Sequence, residues 1–205
     1  MSSNRLIDTD AKVRPAAMRP PFVCAGHRRR QTAHQMHVRT LKPEDGADYQ
    51  ALRLHGLAEA PNAFASSYEE EVGTPLEEIA SRLQPKASGA IFGAFVEGKL
   101  AGLAGLERES MAKLNHKAYL WGMYVGPEHR RRRLGSLLLE YMLPYAWESL
   151  GVTQVNLGVH AENASAIALY RRFGFVVWGT EIGALVVARK AQNEHHMVCH
   201  APSAA

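Results

Sequence analysis

From residue 36 onward, apolar and polar positions follow two periods that replace each other along the chain. His37-Val38-Arg39-Thr40-Leu41 has the period of two of a short strand. Pro43-Glu44-Asp45 then opens a helix that runs to about residue 58, because proline suits a first helical turn and acids there meet the positive end of the helix dipole. Residues 60–74 read as a loop with an aromatic pair, Phe64 and Tyr68, and residues 75–84 as a second, short helix. Three strand-like runs follow: Ala90 to Val96, Leu100 to Leu106 and Ala118 to Val125. The first two are joined by Glu97-Gly98-Lys99, whose length and glycine suit a hairpin.

At Leu134 the period changes to that of an amphipathic helix, with Leu134, Leu137, Leu138, Tyr141, Met142 and Tyr145 on one stripe. Pro144 should kink or loosen its end. Val155, Leu157 and Val159 alternate as a strand. Ala166, Leu169, Tyr170 and Phe173 mark a further helix, capped by Asn163 or Ser165 in front and by Gly174 behind. Strand-like runs from Phe175 to Gly179 and from His195 to Cys199 close the chain. The order β-α-α-β-β-β-α-β-α-β-β predicts an α/β (α+β) fold with a mixed sheet in a single domain.

Composition narrows this reading. A chain of 205 residues with 46% hydrophobic and 21% charged residues holds enough apolar surface for one core, which excludes a disordered or collagen-like chain. No run approaches the ~18 apolar positions of a membrane span; Leu137-Leu138-Leu139, for example, ends at Glu140. Cys24 and Cys199 make neither a disulfide framework nor a CxxC pair, so a reducing, cytoplasmic setting is expected.

The net charge of +4 is unevenly placed. Residues 1–39 hold eight basic side chains against two acids, whereas the remainder holds 16 against 18. Residues 1–35, with three prolines, an Arg28-Arg29-Arg30 cluster and no apolar period, are expected to form a flexible basic tail, residues 36–200 the folded domain and 201–205 a C-terminal tail. The first segment lacks the apolar stretch of a secretory signal, and Met36 offers an alternative translation start. The mildly acidic body, and an arginine run with no interleaved aromatics, argue against nucleic acid. His195 and Cys199 face one side of a strand and His196 and His200 the other, so no metal site is expected.

The most informative stretch runs from Tyr124 through Pro127 and Arg130-Arg131-Arg132-Arg133 to Leu134-Gly135-Ser136, a strand, a basic turn and a helix start. A helix N-terminus presents unpaired N–H groups and partial positive charge, which suits a pyrophosphate. In this stretch and in a second one the chain resembles the GNAT acyl-CoA N-acyltransferase superfamily. The first motif appears as Val125, Pro127 and Arg130 to Gly135, and the second as Asn163, Ala166, Leu169, Tyr170, Gly174 and Phe175. The resemblance extends over roughly residues 36–200.

That resemblance implies a central, mostly antiparallel sheet splayed between its fourth and fifth strands and flanked by helices, with acetyl-CoA as co-substrate in the splay. It implies that main-chain groups of Met123, Tyr124 and Val125 hold the pantetheine arm. Arg130, Arg131, Arg132, Arg133, Leu134, Gly135 and Ser136 would hold the pyrophosphate, and Asn163 would also contact the cofactor. Tyr170 would be catalytic, protonating the departing thiolate. The implied activity is N-acetyl transfer to a primary amine of a small molecule or peptide, and a homodimer is compatible with it. One departure is Arg133, which stands where the family has its first turn glycine; a φ above zero there is expected to weaken cofactor binding. A second concerns the base: related positions carry Tyr119 and Gly158 instead of glutamate, leaving Glu107, Glu109, His116 and His160 as candidates acting through water. An acyl-CoA-binding module without turnover is therefore the alternative reading.

Overall fold

The computed structural model describes residues 36–202. The expected basic tail at 1–35, Cys24 within it, and residues 203–205 lie outside the described residues. The elements in chain order are β1 (Met36–Thr40), α1 (Gly46–Glu59), α2 (Tyr68–Glu71), α3 (Leu76–Arg82), β2 (Gly89–Val96), β3 (Lys99–Arg108), β4 (Lys117–Val125), α4 (Leu134–Pro144), β5 (Gln154–His160), α5 (Ala164–Arg172), β6 (Val176–Val187) and β7 (Lys190–His200).

The strands form one sheet in the order β1-β2-β3-β4-β5-β7-β6. Neighbours are antiparallel except β4 and β5, which are parallel and paired only at Lys117 with Gln154, Ala118 with Val155 and Tyr119 with Asn156. Beyond Tyr119 the two strands part. A bulge helps to turn β4: the register with β3 shifts between Leu103 and Gly105, and Gly122 inside the extra residue pair has φ +63°. The splay expected between the fourth and fifth strands is present.

Two apolar clusters cover the sheet. The larger joins α4 and α5 to the strands through Leu134, Leu138, Met142, Ile167, Leu157 and Met197. The smaller joins α1 and α3 to them through Tyr49, Leu57, Ile79, Leu103 and Tyr124. Phe64 belongs to the smaller cluster, so it anchors the loop after α1, whereas Tyr68 begins α2 and is exposed. The helix predicted from Pro43 is a 3-10 turn at Pro43–Asp45 followed by α1, and the Asp45 carboxylate binds the Lys42 N–H and the Arg39 guanidinium there. Pro144 does not break α4. Lacking an N–H, it is followed by a π turn over Tyr145–Ser149, closed by the Leu150 N–H donating to the Tyr145 carbonyl at 3.1 Å.

The largest difference from the sequence expectation lies in β6 and β7. The short runs expected at 175–179 and 195–199 are the near ends of a hairpin with strands of 12 and 11 residues. It turns at Ala188 and Arg189, with φ +48° and +64°. Both turn residues are left-handed, as the twist of a two-residue hairpin favours, yet neither belongs to the usual turn formers.

Candidate active site

The basic turn reaches α4 through alternating backbone conformations. Arg131 has φ +60°, and Arg133, the N-cap of α4, has φ +67° and ψ +7°. The Arg133 guanidinium is 78% exposed and lies 3.4 Å from Glu140, directed along the helix. Arg130 is braced elsewhere: its Nε donates to the Val125 carbonyl at 3.0 Å, and its guanidinium pairs with Glu59 at the end of α1 and lies over the Tyr124 ring. Hydrogen bonding from Arg130 holds the Glu59 carboxyl below the usual carboxylate range. Arg131 and Arg132 are exposed.

The first intrahelical bond of α4 runs from the Leu137 N–H to the Arg133 carbonyl at 2.9 Å, so the amides of Leu134, Gly135 and Ser136 precede the helical ladder. They face a cleft lined by Val125, Arg131, Ser136, Ser165 and Arg172. The Leu134 side chain is in the core, which leaves only its main chain for a ligand. Gly135 packs close to α5: a Cβ there would come within 2.9 Å of Leu169 Cδ2, so that side chain would have to shift. Ser136 Oγ accepts from Arg172 at 3.5 Å. Neither Glu59 nor Arg172 carries a local sequence signal, because each reaches this turn from an element distant in the chain.

The cleft continues into the opening between β4 and β5, where Met123, Gly158, His160, Asn163 and Tyr170 converge. Asn163 rather than Ser165 caps α5, its Oδ1 accepting from the Ala166 N–H at 3.1 Å and from Ser165 Oγ at 2.9 Å. Tyr170 is buried, its ring edge-on to Phe175, and its hydroxyl donates to Met123 Sδ at 3.4 Å. Burial pushes the Tyr170 pKa far up, with the Tyr119 phenol adding to it, so the hydroxyl stays protonated through the neutral range. The Tyr124 ring is packed against α1. Its hydroxyl donates to Glu59 at 3.2 Å, lies 2.9 Å from His55 Nδ1, and has its pKa pushed up to about 12 by burial and by Glu59.

Of the four candidate bases, His160 alone lines the opening with Tyr170, and its Nε2 is 2.9 Å from Gln192. Glu107 binds Ser88 in a separate cavity beside Trp121, Glu109 lies just beyond β3, and His116 just before β4. In β7, His195 meets Thr180 and His196 meets Glu181, while the Cys199 thiol donates to the Phe173 carbonyl. Among the described residues no helix is long and apolar enough to cross a membrane.

Comparison with known proteins now bears on this geometry. The sequence profile of the acetyltransferase (GNAT) family matches residues 55–175, more than half of the chain. The chain belongs to the acetyltransferase (GNAT) family. The match spans the end of α1, the bulged β4, the basic turn, α4, β5 and α5. Among curated GNAT relatives, the [ribosomal protein bS18]-alanine N-acetyltransferase of Salmonella typhimurium is 44% identical over 59 residues, 29% of this chain and 39% of that protein. The streptothricin acetyltransferase of Streptomyces lavendulae is 31% identical over 106 residues, 52% of this chain and 53% of that protein. The chain thus spans about half or less of the curated relatives it matches. Among solved folds, a GNAT acetyltransferase from Streptococcus pneumoniae superposes with a TM-score of 0.73 at 23% identity, covering 82% of this chain and all of that one. A putative acetyltransferase, yncA, from Salmonella typhimurium, solved with its cofactor acetyl-CoA, gives 0.69 at 19% identity, covering 83% and 96%.

Proposed function

We propose that the protein is an acetyl-CoA-dependent N-acetyltransferase that moves the acetyl group directly to a primary amine of a small molecule or peptide. The observation that carries this reading is Tyr170, a buried phenol kept protonated and aimed through Met123 Sδ into the gap where β4 and β5 part. Attack of a neutral amine on a thioester creates an oxyanion and then expels a thiolate, and a positioned acid beside the sulfur assists the second step.

The residues present fit the co-substrate. Unpaired amides of Leu134, Gly135 and Ser136, with Arg131, Arg133 and Arg172 lining the cleft and Arg132 exposed next to them in the chain, suit a pyrophosphate. Main-chain groups of Met123, Tyr124 and Val125, on the edge of β4 that loses β5 beyond Tyr119 while the other edge stays with β3, suit the amide groups of the pantetheine arm. Asn163 caps α5 with its oxygen and keeps its amide for the ligand. Arg130 acts through Glu59, holding the turn against α1.

The reading also places the protein in the cytoplasm. Burial raises the pKa of the Cys199 thiol, so it stays protonated and unreactive in the core; the cytoplasmic setting is inferred from the two-cysteine composition. A homodimer is compatible with the exposed Trp178, Ile182 and Val186 of β6, and sedimentation tests for it.

The direct assay is thiol release from acetyl-CoA with an amine panel: an alanine-initiated peptide, streptothricin and a simple diamine. Turnover with any of them is expected. Absence of acetyl-CoA binding by calorimetry would falsify the proposal, and tight binding without turnover would favour the acyl-CoA-binding module instead.

A further inference from the structure

The two sides of the β4–β5 opening differ in chemistry. Along β5, Val155, Leu157 and Val159 are buried in the cluster that includes α5, while Asn156, Gly158 and His160 alternate to the other face. The turn at Pro61–Ala63 lies on that second side, and Ala63 lines the opening with Gly158 and His160. Register places Glu194 of β7 opposite His160 and His196 opposite Gly158, so both side chains stand on the same face.

The Glu194 side chain leans towards Gly158. Its Oε2 lies 3.0 Å from the point that a Cβ on Gly158 would occupy, and the Tyr119 hydroxyl reaches the same point from β4, also at 3.0 Å. The carboxylate and the phenol therefore meet over bare backbone, in space that any side chain at 158 would fill. The Gly158 backbone is close enough to the Tyr119 hydroxyl to oppose, in part, the upward pKa shift that burial and Glu194 impose on that phenol. Tyr119 is in turn close enough to Tyr170 to raise its pKa. A protonated phenol thus stands on the α5 side of the gap and a carboxylate on the other.

Other charged groups on this face have their own partners. Glu181, opposite Glu194 on β6, holds His196 at 2.8 Å, and the His196 ring stacks on Trp178. His160 holds Gln192. The Pro61–Ala63 turn contributes only Pro61, Asn62 and Ala63, none of them charged. Two carboxylates, Glu194 and Glu181, give the face a negative field that favours an ammonium group.

We propose that Glu194, supplied by β7, is the general base of acetyl transfer, receiving the proton of a cationic amine that enters from the Tyr119 side. This rests on the proposed function. An alkyl amine of pKa ~10.4 is neutral only about once in 2,500 molecules at pH 7, so removal of that proton precedes attack. Glu194 takes the proton and passes it to solvent. The nitrogen lone pair then forms the C–N bond at the acetyl carbonyl, the C–S bond breaks with its electron pair on sulfur, and Tyr170 gives sulfur a proton. The second proton shed by nitrogen replaces the one Tyr170 gave. The reaction yields amide, thiol and one released proton.

The experiment uses the full chain, acetyl-CoA and whichever panel amine gives turnover. For Glu194→Gln we expect kcat/KM to fall roughly 10²-fold or more at pH 7, with acetyl-CoA affinity by calorimetry unchanged. The deficit should shrink between pH 7 and 9.5, as the amine increasingly arrives neutral, and Glu194→Asp should recover part of the rate. Wild-type rates in Glu194→Gln, or a deficit constant across that pH range, overturn the assignment while leaving the function intact. No turnover in the unsubstituted protein overturns both. Melting temperature is the control that the variants fold.

Discussion

Arg133 combines a left-handed backbone with a long side chain, and its two parts act separately. The guanidinium runs outward to Glu140, so φ +67° is carried without the side chain obstructing the cleft. A left-handed non-glycine residue costs ~1–2 kcal/mol. That cost falls on folding, because the turn already holds this conformation before a ligand arrives; the expectation that it weakens binding does not follow. Glycine at 133 would relieve the strain but lose ~0.5–1 kcal/mol to unfolded-chain entropy. Arg133→Gly should therefore raise the melting temperature by roughly 2–4 °C, read by calorimetry. Acetyl-CoA affinity should change by less than about fivefold, since one helix-end charge is worth ~0.3–1 kcal/mol. Tyr170→Phe should do the converse. It should lower kcat by roughly 10²–10⁴ and leave cofactor affinity and stability nearly unchanged, because only one hydroxyl on a packed ring is lost. An unaltered kcat would remove the phenol from the proposed mechanism.

Elements whose turns carry glycine or proline could be read from the chain, and those turned by other residues could not. The β2–β3 hairpin is announced by Gly98, and α5 by Asn163 and Gly174. The β6–β7 hairpin is hidden because Ala188-Arg189 is not a turn signal and because β6 is largely exposed, with little apolar alternation between Gly179 and Val187. The same physics suggests a repair. Replacing Ala188-Arg189 by Asn-Gly should stabilise the hairpin, seen as slower amide exchange in 183–194 and a modest gain in melting temperature. The candidate site divides in the same way. Asn163, Tyr170 and the arginine turn sit in local patterns, whereas Glu59, Arg172 and Glu194 arrive through packing and register that no local spacing encodes.

At the scale of the whole molecule, three ion pairs fasten the α1 region. Arg39 holds Asp45 before α1, Arg53 ties the middle of α1 to Glu71 of α2, and Arg130 ties its end to the basic turn through Glu59. Hydrogen bonding from Arg39 and Arg130 lowers the pKa of Asp45 and Glu59; at Glu71 burial pushes the pKa up, but the bonds and charge of Arg53 together with Ser66 and Arg82 bring it below the ordinary value. Each folded-state value lies below the unfolded one, so this stability is complete above the ordinary carboxylate range and fades as pH falls through the lowered values. Melting followed from pH 7 to 3 should show the loss below about pH 4. A different weakness follows from the three residue pairs that join β4 to β5. The four-stranded and three-stranded parts of the sheet share one short seam, so they should behave as two cooperative units in native-state hydrogen exchange. Amides at 120–125 and 157–160 that face the gap should exchange early in the free protein. A ligand spanning the gap would bind both units, and its presence should then be readable as the merging of two opening free energies into one.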